Sequence, residues 1–280
     1  MDDRHVLPFD LYVEIAARSI AGLLSRDETE SFVANTMAVS VAQNVASRAV
    51  EDRTLKGLWW NLSEDCCSMV GLMRLRGLGN HVKDCIDENI PGDIVETGVW
   101  RGGASIMAAL ILKYTNCTSK TVHFCDSFAG LPVPDPKYPT DVGDKHHTHA
   151  VLAVSLETVT SYVALYKVDR FVQYHKGWFC DTAPALRRLL SDTGICILRL
   201  DGDMYGSTIE VLDPLYGLLP HRGFLVVDDW TLHGARKAVV DFRETHLLSE
   251  PIVHYGDGQA MYWRVCRNLA VTMCATSDLL

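Results

Sequence analysis

Two short apolar runs in this sequence each end on a pair of carboxylates. Asp201 and Asp203 close the run ILRL in LRLDGD, and Asp228 and Asp229 close FLVV. If those runs are neighbouring strands, four carboxylates crowd one spot. Like charges ~4 Å apart repel by about 1 kcal/mol in water and by several in a partly buried cleft. Either some of them take up protons, or a cation neutralises them. Capping the following helices would need one aspartate each, not two pairs. An oxygen-only donor set without histidine or cysteine favours Mg²⁺, Mn²⁺ or Ca²⁺ over zinc. Such a cation lowers the pKa of a hydroxyl bound to it.

A second set of residues points to a nucleoside. Glu96-Thr97-Gly98-Val99-Trp100-Arg101-Gly102-Gly103 follows an earlier apolar run. Its glycines let the backbone turn tightly and approach a ligand at the N-terminus of the next helix. The spacing is Glu-x-Gly-x-x-x-Gly-Gly, the shape of the first S-adenosylmethionine (SAM) motif and not the dinucleotide GxGxxG. Glu96, Thr97, Gly98, Gly102 and Gly103 are therefore candidate cofactor residues. The next run ends in Asp126-Ser127, where one carboxylate has acceptors enough for both ribose hydroxyls. Gly177-Trp178-Phe179 ends the third run and offers aromatic rings to an adenine. A bare strand–helix turn, a helix-capping aspartate and ordinary core packing are the plainer readings of these three.

The elements that would position these residues follow from periodicity. Strands are expected at 93–97, 121–126, 171–176, 195–201 and 224–228. Helices are expected near 103–115, 151–166, 181–191, 207–219 and 232–246. That alternation predicts an α/β fold with a doubly wound, mostly parallel sheet, which binds ligands at the carboxyl ends of its strands. Segments 252–255 and 260–265 flank Gly256-Asp257-Gly258 and read as an antiparallel edge pair. Residues 1–90 read as a helical cap or lid. One helix follows Pro8, a second face carries Val33, Met37, Val41 and Val45, a third helix covers 64–76 and a fourth 79–89. Residues 91–267 form the catalytic domain and 268–280 a loose tail. The stretch 131–150 holds Pro132, Pro134, Pro136, Pro139 and the histidines 146, 147 and 149. It is too long for a simple connection and is expected to act as a mobile lid. Trp59 and Trp60 are expected to pack.

Bulk properties exclude several classes. A net charge of −9 without a basic stripe argues against nucleic acid and anionic membranes as partners. The nine cysteines are scattered and lack CxxC spacing, so disulfides and zinc are not expected and a reducing, cytoplasmic setting is. No apolar run approaches the ~18 residues of a membrane span.

These strings, taken in order, carry a resemblance. PGDIVETGVWRGGASI, HFCDSFAGLP, LAVSLETV, GWFCDTAP, LRLDGDMYGST and GFLVVDDW resemble the macrocin O-methyltransferase (TylF-like) family from about Ser68 to Arg264. MVGLMRL at 69–75 resembles the family's segment before its first strand, which adds Met69 to the cofactor residues. The resemblance implies a Rossmann-like class I methyltransferase fold with a seven-stranded sheet. It implies SAM and Mg²⁺ (or Mn²⁺) as cofactors and a small acceptor with a free hydroxyl, such as a sugar or glycoside. A homo-oligomer is expected, with the N-terminal helices as a contact. By motif, Asp201, Asp228 and Asp229 are the implied metal ligands, with Asp201 also facing the cofactor. Asp203 resembles a position placed to act as base, and Asp203 or Asp201 is the implied catalytic group that removes the hydroxyl proton. The chain departs from the family at Trp230, where DDY is usual, and at 254–264, and residues 25–65 align with nothing in it. Two other readings stay open beside it. One is a nucleotide-sugar glycosyltransferase using Asp-Gly-Asp, and the other is a catechol-type O-methyltransferase.

Overall fold

Alternation in the apolar runs sets which way each strand faces. In the computed structural model, which describes residues 7–49 and 64–267, five strands lie parallel: β1 (Asp93–Thr97), β2 (Val122–Asp126), β3 (Val172–Lys176), β4 (Ile195–Leu200) and β5 (Phe224–Val227). Two more, β6 (Val253–His254) and β7 (Met261–Arg264), form the antiparallel edge, and the order is β3-β2-β1-β4-β5-β7-β6. The chain reverses its winding between β1 and β4, the place where such sheets bind ligands.

Side chains with period two pack opposite faces. Val95, Cys125, Leu198, Leu200, Leu225 and Val227 enter the core against α7 (Phe179–Leu189), α8 (Tyr205–Leu215) and α9 (His233–Thr245). Ile94, Phe124, Ile197, Phe224 and Val226 face the other way, towards α4 (Leu72–Asp87), α5 (Gly103–Tyr114) and α6 (Leu156–Tyr166). The N-terminal helices α1 (Phe9–Ile20), α2 (Arg26–Val33) and α3 (Val39–Ser47) add Tyr12, Ile15, Ile20, Phe32 and Val45 to this second cluster, so they share the sheet's core.

The helical reading of the first 90 residues needs two corrections. Residues 29–50 do not form one helical face. Ser25 and Glu28 make a reciprocal capping box that starts α2, Asn35 takes a left-handed φ of 53° after it, and α3 starts afresh at Val39. Val41 consequently stands 49% exposed while Val33 and Val45 are buried. The expected third and fourth helices are instead one helix, α4, and residues 64–71 are not helical. Gly77 and Gly79 look like breakers in sequence. In the fold they permit contact, because a Cβ on Gly77 would lie 2.3 Å from the Tyr255 ring and one on Gly79 2.8 Å from Met107. Trp59, Trp60 and the tail from 268 lie outside the described residues.

The 131–150 stretch crosses the open end of the sheet as expected, in short 3₁₀ turns. It is also tied down. Asp141, 2% exposed, accepts the free N–H groups at the start of α8, from Tyr205 at 2.8 Å and Gly206 at 2.7 Å. A helix N-terminus whose cap comes from another segment latches that segment to it. Asp141→Ala is expected to cost about 1–2 kcal/mol of stability, the scale of a lost cap, and to raise hydrogen exchange across 131–149. Unchanged denaturant midpoint and exchange would show that the loop is held by other contacts.

Candidate active site

Backbone bonds continue past the strand ends and bring them level. Gly98 N–H donates to Cys125 O, Asp201 N–H to Thr97 O, Gly177 N–H to Asp126 O and Asp228 N–H to Leu200 O, each at 2.9 Å. Gly98, at φ +86°, passes so close to β4 that a Cβ would fall 1.6 Å from Asp201 O. Only glycine fits there. Above these ends lies a cavity of about 510 Å³. Among its lining residues are Met69, Gly98, Asp126, Ser127, Gly177, Trp178 and Phe179, with Asp201, Asp203, Asp228 and Asp229 at one end. Glu96, Thr97, Gly102 and Gly103 do not line it. Glu96 is buried against Arg199 and Ser105, and Thr97 Oγ1 donates to Arg199 O. Gly102 and Gly103 lie back against Phe124, Val159, the Cys67 backbone and the Ser68 side chain. Their type is required by packing behind the turn.

Asp126 is held by its own loops. Oδ2 accepts from Val99 N–H at 2.8 Å and Trp100 N–H at 3.4 Å, and Oδ1 from Phe128 N–H at 2.7 Å. Ser127 Oγ lies 3.4 Å from Oδ1, so each of the carboxylate's roughly four acceptor positions has a neighbour, and a ribose hydroxyl would compete for the two long contacts, from Trp100 and Ser127. Burial raises the Asp126 pKa, and the three N–H groups oppose that rise. Trp178, 40% exposed, presents its ring at the N-terminus of α7.

At the acidic end the structure groups the carboxylates differently from sequence order. One oxygen each of Asp201, Asp203 and Asp229 lies within 4.8 Å of the others. Asp203 takes a left-handed φ of 60°, which aspartate tolerates, and its N–H donates to Asp229 Oδ2 at 2.9 Å. Asp228 stands beside this group with both oxygens engaged: Oδ1 accepts from Arg199 Nη2 and Oδ2 from Arg74 Nη1. Each oxygen keeps one further lone pair. Arg199 also donates to Glu96 and, at 2.7 Å, to Asp201 Oδ2. Burial and then the other carboxylates raise the pKa of Asp201 (Asp228 first) and of Asp229 (Asp203 first). Burial and Asp201 push Asp203 up to about 7.

The two arginines were missed in sequence. Arg199 carried a signal, a lone charge within the otherwise apolar run ILRL. It shares a face with Ile197, so it points towards α4 and α5 together with Glu96 and Asp228. Arg74 sits on α4, and no spacing pairs it with a strand end 154 positions away. Of the loop histidines, His146 lines the cavity, its Nδ1 2.9 Å from Asp144 Oδ2.

This strand order, with one cavity across the ends of β1 to β3 and acidic ends on β4 and β5, defines a class I methyltransferase fold. A profile of the macrocin-O-methyltransferase (TylF) family matches residues 4–265. Mycinamicin III 3''-O-methyltransferase of Micromonospora griseorubida is 35% identical over 262 residues, 91% of this chain and 96% of that protein. Demethyldecarbamoylnovobiocin O-methyltransferase of Streptomyces niveus is 37% identical over 207 residues, 71% of this chain and 76% of that one. The solved structure of the O-methyltransferase NovP aligns with a TM-score of 0.75 at 30% identity, covering 93% of this chain and all of its own. The chain belongs to the macrocin-O-methyltransferase family and is an O-methyltransferase. That membership sets aside the glycosyl-transfer reading of Asp-Gly-Asp. Among the described residues no helix is long and apolar enough to cross a membrane.

Proposed function

We propose that this enzyme transfers the methyl group of SAM to a sugar hydroxyl on a glycosylated natural product, with a divalent cation at the acidic end of the cavity. The observation that carries the reading is one cavity holding both the Gly98–Asp126 turn pair and three convergent carboxylate oxygens. The names of the relatives support the acceptor class, since they name mycinamicin III, a rhamnosyl-tetracenomycin and demethyldecarbamoylnovobiocin.

The residues fit both groups. Three carboxylate oxygens without nitrogen or sulfur suit a hard cation that keeps open positions. Asp201 and Asp229 would hold it, with Asp228 beside them as a further oxygen donor through the lone pairs that Arg199 and Arg74 leave free. When bound, the cation supplies acidity to an acceptor hydroxyl and SAM supplies an electrophilic methyl group. Asp126 would hold the ribose and Trp178 the adenine. Asp203 would take the hydroxyl proton on its carboxylate, which reaches the cavity from the turn after β4. The latched 131–150 stretch and the Met69–Val70 segment would keep bulk water from the methyl group.

Titration calorimetry tests the cofactor. SAM and S-adenosylhomocysteine are expected to bind, with UDP-sugars and NAD silent. Asp126→Ala is expected to weaken S-adenosylhomocysteine binding by roughly 1–3 kcal/mol, the value of hydrogen bonds to a charged group. Wild-type affinity in that variant would sink the ribose assignment.

A further inference from the structure

Arg74 has a place that methyl transfer alone does not account for. It lies near the start of α4, and its side chain is 6% exposed. One end of the guanidinium donates to Asp228 Oδ2, and Nε lies 2.7 Å from Asp257 Oδ2. Asp257 belongs to the turn between β6 and β7 and is equally buried. Its other oxygen accepts the Gln259 N–H at 3.0 Å, and Gln259 lines the cavity. Met69 and Val70, just before α4, line it too. One cation thus joins the strand end at β5, the edge turn and the segment entering α4.

Charge explains why a second guanidinium is needed. Glu96, Asp201, Asp203, Asp228, Asp229 and Asp257 share only Arg199 and Arg74 in the ion pairs of this region, so carboxyl groups outnumber guanidinium groups by four. A fixed positive charge beside Asp228 opposes any cation arriving at the same cluster, and it uses one lone pair on the oxygen it binds. A cluster of bare carboxylates would close round its cation, whereas a centre that admits an acceptor oxygen has to keep positions open.

We propose that Arg74 is a positioning residue whose charge, fixed between Asp228 and Asp257, loosens the acidic cluster's hold on its cation and pins the β6–β7 turn to the cavity wall. The inference rests on the metal reading above.

The test is Mn²⁺ binding to metal-free full-length protein without SAM or acceptor, read as free Mn²⁺ by electron paramagnetic resonance, beside kcat and acceptor KM with Mg²⁺. Near-UV circular dichroism checks folding. Arg74→Met is expected to bind Mn²⁺ about tenfold more tightly, yet to turn over at least about tenfold more slowly. Opposite signs distinguish this role from simple loss of structure, which weakens both. Arg74→Gln keeps a donor for Asp228 without the charge. It is expected to show the same tightening, and it provides the reading if the methionine variant does not fold. Arg74→Lys restores the charge, so Mn²⁺ affinity should return to within about twofold of wild type. Its kcat should stay low, because an ammonium lacks the planar fork that spans two carboxylates. Unchanged or weaker Mn²⁺ affinity in folded Arg74→Gln overturns the proposal while leaving the metal reading intact. A wild-type protein that binds no Mn²⁺ at all overturns the metal reading itself.

Discussion

Asp201→Asn should leave the enzyme nearly inactive at any Mg²⁺ concentration while S-adenosylhomocysteine still binds within about threefold of wild type. Asp201 follows β4, accepts from Arg199 at 2.7 Å and contributes one carboxylate oxygen to the group shared with Asp203 and Asp229. The substitution keeps the shape and removes one charge from a site with few donors. Lewis-acid stabilisation is worth several kcal/mol, so a loss of about 10³ in rate is expected at 1.36 kcal/mol per tenfold. EDTA treatment of the wild type should do the same, with activity restored by Mg²⁺ or Mn²⁺. The measurement is initial rate against metal concentration with labelled SAM, beside calorimetric cofactor binding. Full turnover in metal-free enzyme would leave base catalysis as the whole mechanism.

The second large effect concerns Asp203. Asp203→Asn should lower kcat by about 10²–10⁴, the usual value of a positioned base. Its distinctive feature is that Mn²⁺ affinity should stay within about threefold of wild type, because Asp201, Asp229 and the spare lone pairs of Asp228 remain. Geometry makes this a sharp comparison, since Asp203 lies inside the three-oxygen group and Asp228 outside it. Parallel loss of rate and Mn²⁺ affinity would make Asp203 a ligand and reassign the base. Asp228→Asn supplies the contrast, because it disturbs Arg74 and Arg199 together.

The parallel strands were legible as short runs closed by glycine or aspartate, apolar at their centres except for the polar edge strand β3, VQYHK, and each lies within a residue or two of its expected bounds. The helices after Gly103 were legible from their helical apolar period, although α6 starts at Leu156 and not at 151. The N-terminal helices were not. Gly77 and Gly79 signal a break by propensity, but burial against Tyr255 and Met107 overrides that cost. Val41 fits a helical face that a left-handed Asn35 interrupts. The loop at 131–150 was legible as a cover over the site, whereas its latch, Asp141 on the first N–H groups of α8, joins residues far apart in sequence.

For the site itself, the sequence alone determined which residues end each strand, since strand length and turn chemistry are local properties. It therefore placed Asp126, Asp201, Asp203, Asp228 and Asp229 on one edge of a sheet, together with the glycine turn that faces them. Tertiary structure decided how those charges are shared. Side chains alternate between faces, so Glu96, Arg199 and Asp228 turn towards α4, where Arg74 meets them. The left-handed turn at Asp203 carries its carboxylate to Asp201 and Asp229 instead. Electrostatic partnership depends on distance and direction in space. Those are settled only when helix, strand end and edge turn pack around the same few ångströms.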